Sequence, residues 1–400
     1  YGDVNITNWE KDRVSIDVKV SVDHRKEEKA RELLDEILIN FSQEGNTIRA
    51  ETNFDKGFNR SGGIFDFDSD TKEFSIDYTI KMPKYLNIQL ENKYGDVFIN
   101  EITGHADPAN RLTAADLRSV PTLSLVLPWD AMFGGGGQGI YISGSGSPRG
   151  TSVELIYADG STGFQVDGSV QIQGGTSDDR WKSDKLSMRV KFTEAFGPTK
   201  LTYPLFGDDA TDRYDTFILD ATLNHSWIHP GQDQTDTAKY IQDQFVADIQ
   251  NAMGGYAPHA RYCHLYLNGL YWGMYYVHER PDESFAAAYL GGDKDDYDVL
   301  KHTSGTLVNG TLDNYQAMLA LARQSLAYPA NYADLAAVLD IDNFIDYMLV
   351  NFFVGNEDWD HHNWYATYNR EDPDGRWRFH SWDAEHVLES GTRDVTDKDT

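Results

Sequence analysis

Acidic, amide and imidazole side chains are concentrated in two short stretches near the end of the sequence, 355–365 and 378–386. The first stretch contains Asp358 and, five residues later, Asn363, and the second contains Asp383. Tryptophan and phenylalanine flank both stretches, and a carboxylate among aromatic residues is costly unless it is paired or binds a metal ion. The composition therefore favours a metal-binding site over the alternative, a solvated turn between core elements.

Phosphoryl transfer from a metal-bound nucleotide is one chemistry that would use these side chains. It requires an acid that orients and deprotonates the attacking hydroxyl, together with an amide and a carboxylate that hold magnesium. Asp358 and Asn363 have the Asp-x-x-x-x-Asn spacing of a kinase catalytic loop, and Asp383 would be the second magnesium carboxylate. The spacing alone is a weak signal, because such pairs often arise by chance.

Metal-dependent hydrolysis is a second chemistry that this part of the sequence could support. Its zinc ligands would come from a set of four side chains, His361, His362, Asp383 and His386. Adjacent histidines point in different directions on most backbones, and the sequence has no His-Glu-x-x-His segment. A zinc hydrolase is therefore the weaker of the two hypotheses.

Strands that precede helices are expected to position these side chains. Runs of apolar residues predict the strands, and helical periodicity follows later in the chain. The predicted strands are 122–127, 152–157, 168–173 and 186–192, and the predicted helices are 240–253, 318–326 and 344–353. This order indicates an α+β fold. The glycine run at 134–137 is predicted to be a loop, since it lacks the Gly-Lys-Ser/Thr ending of a nucleotide-binding P-loop.

The length of 400 residues exceeds what one core usually organises. Nine lysines lie in residues 1–104 and eight in the remaining 296, and the stretch 103–110 is rich in turn formers. We therefore predict two domains, 1–105 and 106–400. A single domain with uneven surface chemistry is the alternative.

The charge of the sequence limits the partners that it can have. With 35 basic and 64 acidic residues the net charge is −29, so phosphate-rich nucleic acid and anionic membrane surfaces would be repelled. No stretch has the roughly 18 apolar residues of a membrane-spanning helix. The single cysteine, Cys263, excludes an intrachain disulfide and suits both a cytosolic protein and a bacterial surface protein. The chain starts at Tyr1 rather than methionine, so the termini do not define its localisation.

The first domain is predicted to be mostly β, with strands at 14–20 and 74–80 and an amphipathic helix at 25–42. Tyr1-Gly2-Asp3-Val4 recurs as Tyr94-Gly95-Asp96-Val97, and alternating apolar residues follow each copy, as stacked β-repeats require. This part of about 100 residues resembles bacterial adhesin-like β-repeat domains. None of its residues is predicted to be catalytic.

The second domain carries a set of motifs in a specific order. They are Val170-Gln171-Ile172-Gln173-Gly174-Gly175, Lys185-Leu186-Ser187-Met188-Arg189, Tyr203-Pro204-Leu205-Phe206, the segment 264–275, Glu279-Arg280-Pro281-Asp282, the segment 356–363 and Trp382-Asp383. On these motifs, residues from about 120 to 390 resemble the CotH kinase family, the spore-coat-type atypical protein kinases. The resemblance implies a two-lobed protein-kinase-like fold, ATP with magnesium or manganese as cofactors, and phosphorylation of serine or threonine in a protein substrate.

The resemblance also implies roles for individual residues. Asp358 matches the catalytic aspartate of the family's Asn-x-Asp motif. Asn363 matches the amide that follows it, and Asp383 matches the metal-binding aspartate of the Trp-Asp motif.

Three further residues match positions that the family would use for the nucleotide. Lys185 matches the lysine expected to reach the ATP phosphates, and Glu279 would pair with it, although Glu279 could instead pair with Arg280. Lys301 matches a lysine near the nucleotide. One departure is Gln171, because many relatives have an arginine there, and if that arginine contacts phosphate its loss puts turnover in doubt.

A binding module is the alternative to an enzyme. The acidic, aromatic-rich second domain and the adhesin-like repeats would suit attachment at a bacterial cell surface, with a catalytically weak or inactive kinase-like scaffold. An extracytoplasmic or surface location is therefore expected, with the cytoplasm as the alternative.

Overall fold

A computed structural model gives the fold of the chain. It describes residues 3–9, 11–35, 37–44, 47–54, 71–83, 97–99, 112–135, 138–144, 147–174, 183–301, 306–359, 361–389 and 395–396. The chain divides into two compact units, Tyr1–Leu117 and Arg118–Thr400. The boundary predicted from the sequence, 103–110, lies outside the described residues, so the assignment of two domains stays a prediction.

The first unit is built mainly from strands. Its elements are β1 (Val4–Asn8), β2 (Ser15–His24), α1 (Glu27–Asp35), β3 (Ile37–Glu44), β4 (Thr47–Phe54), β5 (Thr71–Met82) and β6 (Val97–Ile99). Among the described residues, four of the strands form a sheet in the order β2-β5-β1-β6. Val4 lies opposite Val97 in the parallel pair β1–β6, so the strands that begin at the two repeat copies are neighbours in register.

The helix predicted at 25–42 is wrong in its second half. Helix α1 ends at Asp35, and Ile37–Glu44 is a strand that forms an antiparallel ladder with β4. Ile37, Ile39 and Phe41 alternate with Leu38 and Asn40, which is the period of a strand. The apolar residues of this segment fit both a helical and a strand period, and pairing with β4 stabilises the strand.

The second unit begins with a barrel. Its elements up to residue 290 are β7 (Thr122–Val126), α2 (Trp129–Phe133), α3 (Ile140–Ser143), β8 (Arg149–Ile156), β9 (Phe164–Ile172), β10 (Met188–Lys191), β11 (Leu201–Thr202), β12 (Arg213–Tyr214), β13 (Thr216–Asp220), α4 (Gln232–Asp236), α5 (Gln242–Ala252), β14 (Ala260–Leu267), β15 (Leu270–His278) and α6 (Glu283–Leu290). Seven of these strands close into a barrel in the order β10-β13-β15-β14-β7-β8-β9.

Alternation along the barrel strands separates a core face from an outer face. Val170, Met188 and Val190 are fully buried inside the barrel. Gln171 and Arg189, which alternate with them, are directly opposite each other across β9 and β10. Because successive side chains of a strand point to opposite faces, these two polar residues share the outer face of the barrel.

The rest of the second unit joins a smaller sheet to a group of helices. Its elements are β16 (Tyr297–Lys301), β17 (Thr306–Asn309), α7 (Asp313–Ala322), α8 (Pro329–Val338), α9 (Ile341–Val354), β18 (Trp364–Asn369) and β19 (Arg378–Ser381). The strands pair antiparallel in the order β17-β16-β18-β19. Trp377, Tyr347 and Phe379 form part of the core between this sheet and the helices.

The predicted α+β class is confirmed by this mixture of strands and helices. The two-lobed kinase-like arrangement and the adhesin-like character of the first unit stay predictions. Within the described part of the chain, no helix combines the length and the apolar character needed to cross a membrane.

Candidate active site

Helix α9 and the hairpin β18–β19 position the polar stretch around Asp358. The side chain of Asp340 caps the start of α9 by accepting a hydrogen bond from the N–H of Asn343 at 3.2 Å. Gly355 ends the helix at φ 60°, a left-handed conformation that favours glycine. Asn363, at φ 61°, directly precedes β18. The loop between them is therefore anchored at both ends by defined secondary structure.

A series of amide side chains fixes the backbone of this loop. Asn356 is 2% exposed, and its Nδ2 donates to Oδ1 of Asn351 in α9 at 2.8 Å. Its own Oδ1 accepts from the N–H of Asp358 at 3.1 Å. This bond explains the Asn-x-Asp pattern, because the asparagine holds the backbone of the aspartate two residues later.

Asn363 brings the three acid and amide positions together. Its Nδ2 donates to Oδ2 of Asp358 at 3.0 Å and to the backbone carbonyl of Asp383 at 3.2 Å. The antiparallel register of the hairpin pairs Trp364 with Ser381, so the residues just before β18 and just after β19 lie at the same end. Asp383 itself has φ 56°, which turns the chain away from the strand. The three residues predicted from the sequence are thus neighbours in one site.

The histidines predicted as zinc ligands are divided between two clusters. Nε2 of His362 lies 2.6 Å from Oδ1 of Asp358, and Nε2 of His361 lies 3.4 Å from the same oxygen. His386 instead contacts His225 at 3.0 Å. The four side chains proposed for a zinc hydrolase therefore do not form one ligand set.

Lys185 lies in a largely buried position beside the barrel. Its Nζ donates to the backbone carbonyls of Met274 at 2.6 Å and Ala221 at 3.0 Å, and lies 4.3 Å from the ring centre of Tyr275. Burial lowers the pKa of Lys185 to about 8, although the nearby carboxylate of Asp220 opposes the shift. A charged ammonium here is therefore desolvated and only weakly compensated.

Glu279 does not pair with Lys185. Its carboxylate accepts from the N–H of His259 at 2.9 Å and from the hydroxyl of Tyr289 at 2.9 Å, and Nδ1 of His259 lies 2.9 Å away. Arg280, the other partner considered, donates its Nε to Tyr365 at 3.0 Å. Glu279 therefore pairs with His259 and Tyr289 instead of Lys185 or Arg280. The reason is its position, because Glu279 directly follows β15 and lies opposite His259, which directly precedes β14.

Lys301 belongs to a group of three cations, Arg189, Arg280 and Lys301, which we call the cation cluster. Burial, and then the charges of Arg280 and Arg189, lower the pKa of Lys301, whereas Asp383 acts in the opposite direction. Burial and the charge of Arg280 also lower the pKa of Arg189. These effects place the three cations within electrostatic reach of one another and of Asp383.

The sequence reasoning missed Arg189 and Arg280 as site residues, although both belong to its motifs. Nε of Arg189 is buried and, among the described residues, lacks a hydrogen-bond partner. Burial opposes the charge of Arg280, but Tyr365 and Asp282 hold its pKa above the ordinary value. Both arginines stand in motifs already identified from the sequence, Arg189 within the predicted strand 186–192 and Arg280 directly after Glu279.

Comparison with protein families gives a match to the CotH kinase protein family over residues 170–400. The matched part begins in β9 and includes every site residue described above, from Lys185 to Asp383. A comparison with curated proteins finds no match. The family match covers more than half of the chain and confirms the resemblance deduced from the motifs. The chain belongs to the CotH kinase family.

Proposed function

We propose that this protein is an atypical protein kinase that transfers the γ-phosphoryl group of ATP to serine or threonine side chains of a protein substrate. The observation that carries the proposal is the double hydrogen bond of Asn363, which joins the carboxylate of Asp358 to the backbone of Asp383. Phosphoryl transfer requires a protein to bring an acid, an amide and a second carboxylate close together.

The residues of the site fit magnesium or manganese and a triphosphate. The carboxylate of Asp383 and the side-chain oxygen of Asn363 are hard oxygen donors of the kind that Mg²⁺ prefers. The positive charges of the cation cluster, Arg189, Arg280 and Lys301, repel one another. A bound polyanion would offset this repulsion. Bound ATP would supply the phosphoryl group, and the divalent ion would offset its developing charge.

Each acidic residue has a role that its surroundings support. Asp358 would orient the acceptor hydroxyl and take its proton, and its carboxylate is 23% exposed and held by Asn363 and His362. Asn363 and Asp383 would hold the metal ion. Asn356 would act as a positioning residue, because it binds the backbone of Asp358 rather than a reacting atom.

Arg189 would bind phosphate from the outer face of the barrel, and Lys185 would contribute a desolvated ammonium. Nε of Arg189 is buried and finds no hydrogen-bond partner in the described part of the chain. Guanidinium groups bind phosphate through two parallel hydrogen bonds. Gln171 stands where many relatives have arginine, but Arg189 is its cross-strand neighbour and supplies a guanidinium on the same face. The departure at Gln171 is therefore compatible with turnover.

The proposal is tested by incubating the protein with labelled ATP, magnesium or manganese, and serine-rich or acidic acceptor proteins. We expect label transfer, and a fall of about 10²–10⁴-fold for Asp358→Asn, the usual contribution of a general base. Asp383→Ala should abolish transfer without unfolding the protein, because the carboxylate holds a ligand and does not pack in the core.

Asp342→Asn is the matched control, since Asp342 is exposed on α9, before the loop that carries Asp358. It should transfer label at the wild-type rate. Absence of transfer by the wild type, with no difference from Asp383→Ala, would contradict the proposal. If the protein also binds no nucleotide but binds a surface partner tightly, the alternative function of a catalytically inactive adhesion module would replace it.

A further inference from the structure

His225, His386 and Glu389 form a cluster that the proposed phosphoryl transfer does not use. Nε2 of His225 lies 3.0 Å from Nδ1 of His386 and 2.8 Å from Oε1 of Glu389, and the same oxygen lies 2.9 Å from Nδ1 of His386. Three potential ligand atoms, one from the loop after β13 and two from the segment after β19, thus lie within 3.0 Å of one another.

The second ring nitrogen of His225 has a partner outside the cluster. Nδ1 of His225 lies 2.7 Å from Oγ1 of Thr237, a hydroxyl that also lies 2.8 Å from the carbonyl of Asp233 and 3.4 Å from that of Gln234. When the hydroxyl donates to one of these carbonyls it accepts from Nδ1, and the neutral ring then has its lone pair on Nε2. Metal-binding histidines are oriented by this kind of outer hydrogen bond.

In that tautomer Nε2 of His225 presents its lone pair 2.8 Å from a carboxylate oxygen of Glu389, a contact that a bound cation would make favourable. The position is enclosed, because the side chain of His225 is 3% exposed, whereas those of His386 and Glu389 are 26% and 24% exposed. Two imidazole nitrogens and one carboxylate oxygen are a donor set that first-row divalent metal ions prefer.

The three atoms are close enough together to share such an ion. Separations of 2.8, 2.9 and 3.0 Å correspond to mutual angles of about 90° around an ion at about 2.1 Å from each ligand, as at one face of an octahedron. A tetrahedral Zn²⁺ would require the ligand atoms to move apart to about 3.4 Å. An ion in this position would keep open coordination sites for water. We propose that His225, His386 and Glu389 bind a divalent transition-metal ion such as Zn²⁺, at a site separate from the Asp358, Asn363 and Asp383 group.

The ion would connect the segment after Asp383, which lies beside the loop that carries Asp358, to the loop after β13. The carbonyl of His386 accepts from the N–H of Glu357 at 3.0 Å, one residue before Asp358. The N–H of Leu388 donates to the carbonyl of Val354 at 2.9 Å. The segment that follows Asp383 therefore already lies along the end of α9, and a metal ion would fix it to the loop after β13 as well.

The experiment uses the full chain after removal of metal with a chelator. Zn²⁺ alone is titrated by equilibrium dialysis with elemental analysis, and Co²⁺ provides an absorption spectrum that reports its ligands. We expect one equivalent of zinc bound to the wild type. For His225→Asn the affinity should fall at least about 100-fold, because loss of an outer partner alone typically costs 10–100-fold. Asparagine tolerates the φ of 44° at this position, so the loop conformation should survive.

Two further variants make the result specific. Thr237→Val removes the hydroxyl beside Nδ1 of His225, together with its hydrogen bond to the carbonyl of Asp233, and we expect about 10–100-fold weaker zinc binding with an unchanged fold. The double variant His361→Asn/His362→Asn removes the other histidine cluster and should bind zinc as the wild type does.

Three results would overturn the proposal. They are the absence of stoichiometric zinc in the wild type, unchanged affinity in both His225→Asn and Thr237→Val, or zinc binding that is lost only in the His361/His362 variant. The third result would assign the ion to Asp358 instead. None of these readouts uses ATP, so they are independent of whether the protein is a kinase.

Discussion

Lys185 should lose its charge within the pH range of ordinary assays, and this gives the sharpest test of the site. Burial lowers its pKa from 10.5 to about 8 in the folded protein, while a lysine in an unfolded chain keeps a pKa near 10.4. Within the described part of the chain, the ammonium directly contacts only the backbone carbonyls of Met274 and Ala221 and the ring of Tyr275.

The sign of the effect follows from proton binding. Below about pH 8 the lysine is charged in both states, and above it the unfolded chain binds more protons than the folded one, so the free energy of unfolding rises with pH. With pKa values of about 8 and about 10.4, the stability that Lys185 contributes increases by about 2 kcal/mol between about pH 7 and about pH 9.5. The gain continues until the pH reaches the pKa of the unfolded lysine.

The assay is denaturant unfolding of the wild type and Lys185→Met at the two pH values, followed by tryptophan fluorescence. The difference in free energy of unfolding between the two proteins should change by about 2 kcal/mol in favour of the wild type at the higher pH. Lys191→Met, on an exposed lysine of β10, is the matched control and should keep the pH dependence of the wild type.

A difference between wild type and Lys185→Met that is the same at both pH values would refute the reasoning, since it would mean that the ammonium is not desolvated. If Lys185 binds phosphate, ATP affinity of the wild type should also fall as the pH rises through about 8. Lys185→Met should bind ATP weakly throughout, with little dependence on pH.

Two further predictions concern buried side chains near the site. Asn356→Ala leaves the N–H of Asp358 and the side-chain oxygen of Asn351 without their partner, so we expect a loss of about 1–3 kcal/mol in unfolding free energy and slower phosphoryl transfer, with the exposed Gln324→Ala as control. Cys263 is 1% exposed, and burial raises its pKa to about 12, so iodoacetamide should alkylate it only after unfolding, and rapid labelling of the native protein would contradict the structure.

Proximity of Asp358, Asn363 and Asp383 could be predicted because it depends on short-range order. A helix ends just before Asp358, a strand begins just after Asn363, and a second strand ends just before Asp383. An antiparallel hairpin of two such strands necessarily brings its open ends together. The sequence thus contained both the residue types and the local geometry that joins them.

The cation cluster could not be predicted, because its members come from three separate strands or strand ends. Arg189 lies on β10, Arg280 follows β15 and Lys301 ends β16. Their approach depends on closure of the barrel and on how the smaller sheet meets it, and no local pattern encodes either. The ligand set of the zinc-hydrolase hypothesis was wrong for the same reason, since His386 contacts His225, which lies 161 residues earlier, and not His361 or His362.

The predicted pairing of Lys185 with Glu279 illustrates a different limit. His259 was not predicted as a partner, because residues 264–275 were identified as a motif and their division between the two strands of a hairpin was not predicted. The register of that hairpin places Ala260 opposite His278, so the residues next to them, His259 and Glu279, must meet. A shift in register at Leu265 and Tyr266 changes the pairing along the strands, and it would have hidden this contact from a simple count back from the turn.

The energetics of the cations bear on the choice between a kinase and an inactive scaffold. Desolvation acts against the charge of Lys185, and one N–H of Arg189 is buried with no partner among the residues that the structure describes, so both residues destabilise the folded protein at neutral pH. A module that only attaches to a surface gains nothing from these costs, and apolar side chains at the same positions would stabilise it. A polyanion that contacted both Lys185 and Arg189 would offset both costs at once. If ATP is that polyanion, it should raise the thermal stability of the wild type more than that of Lys185→Met.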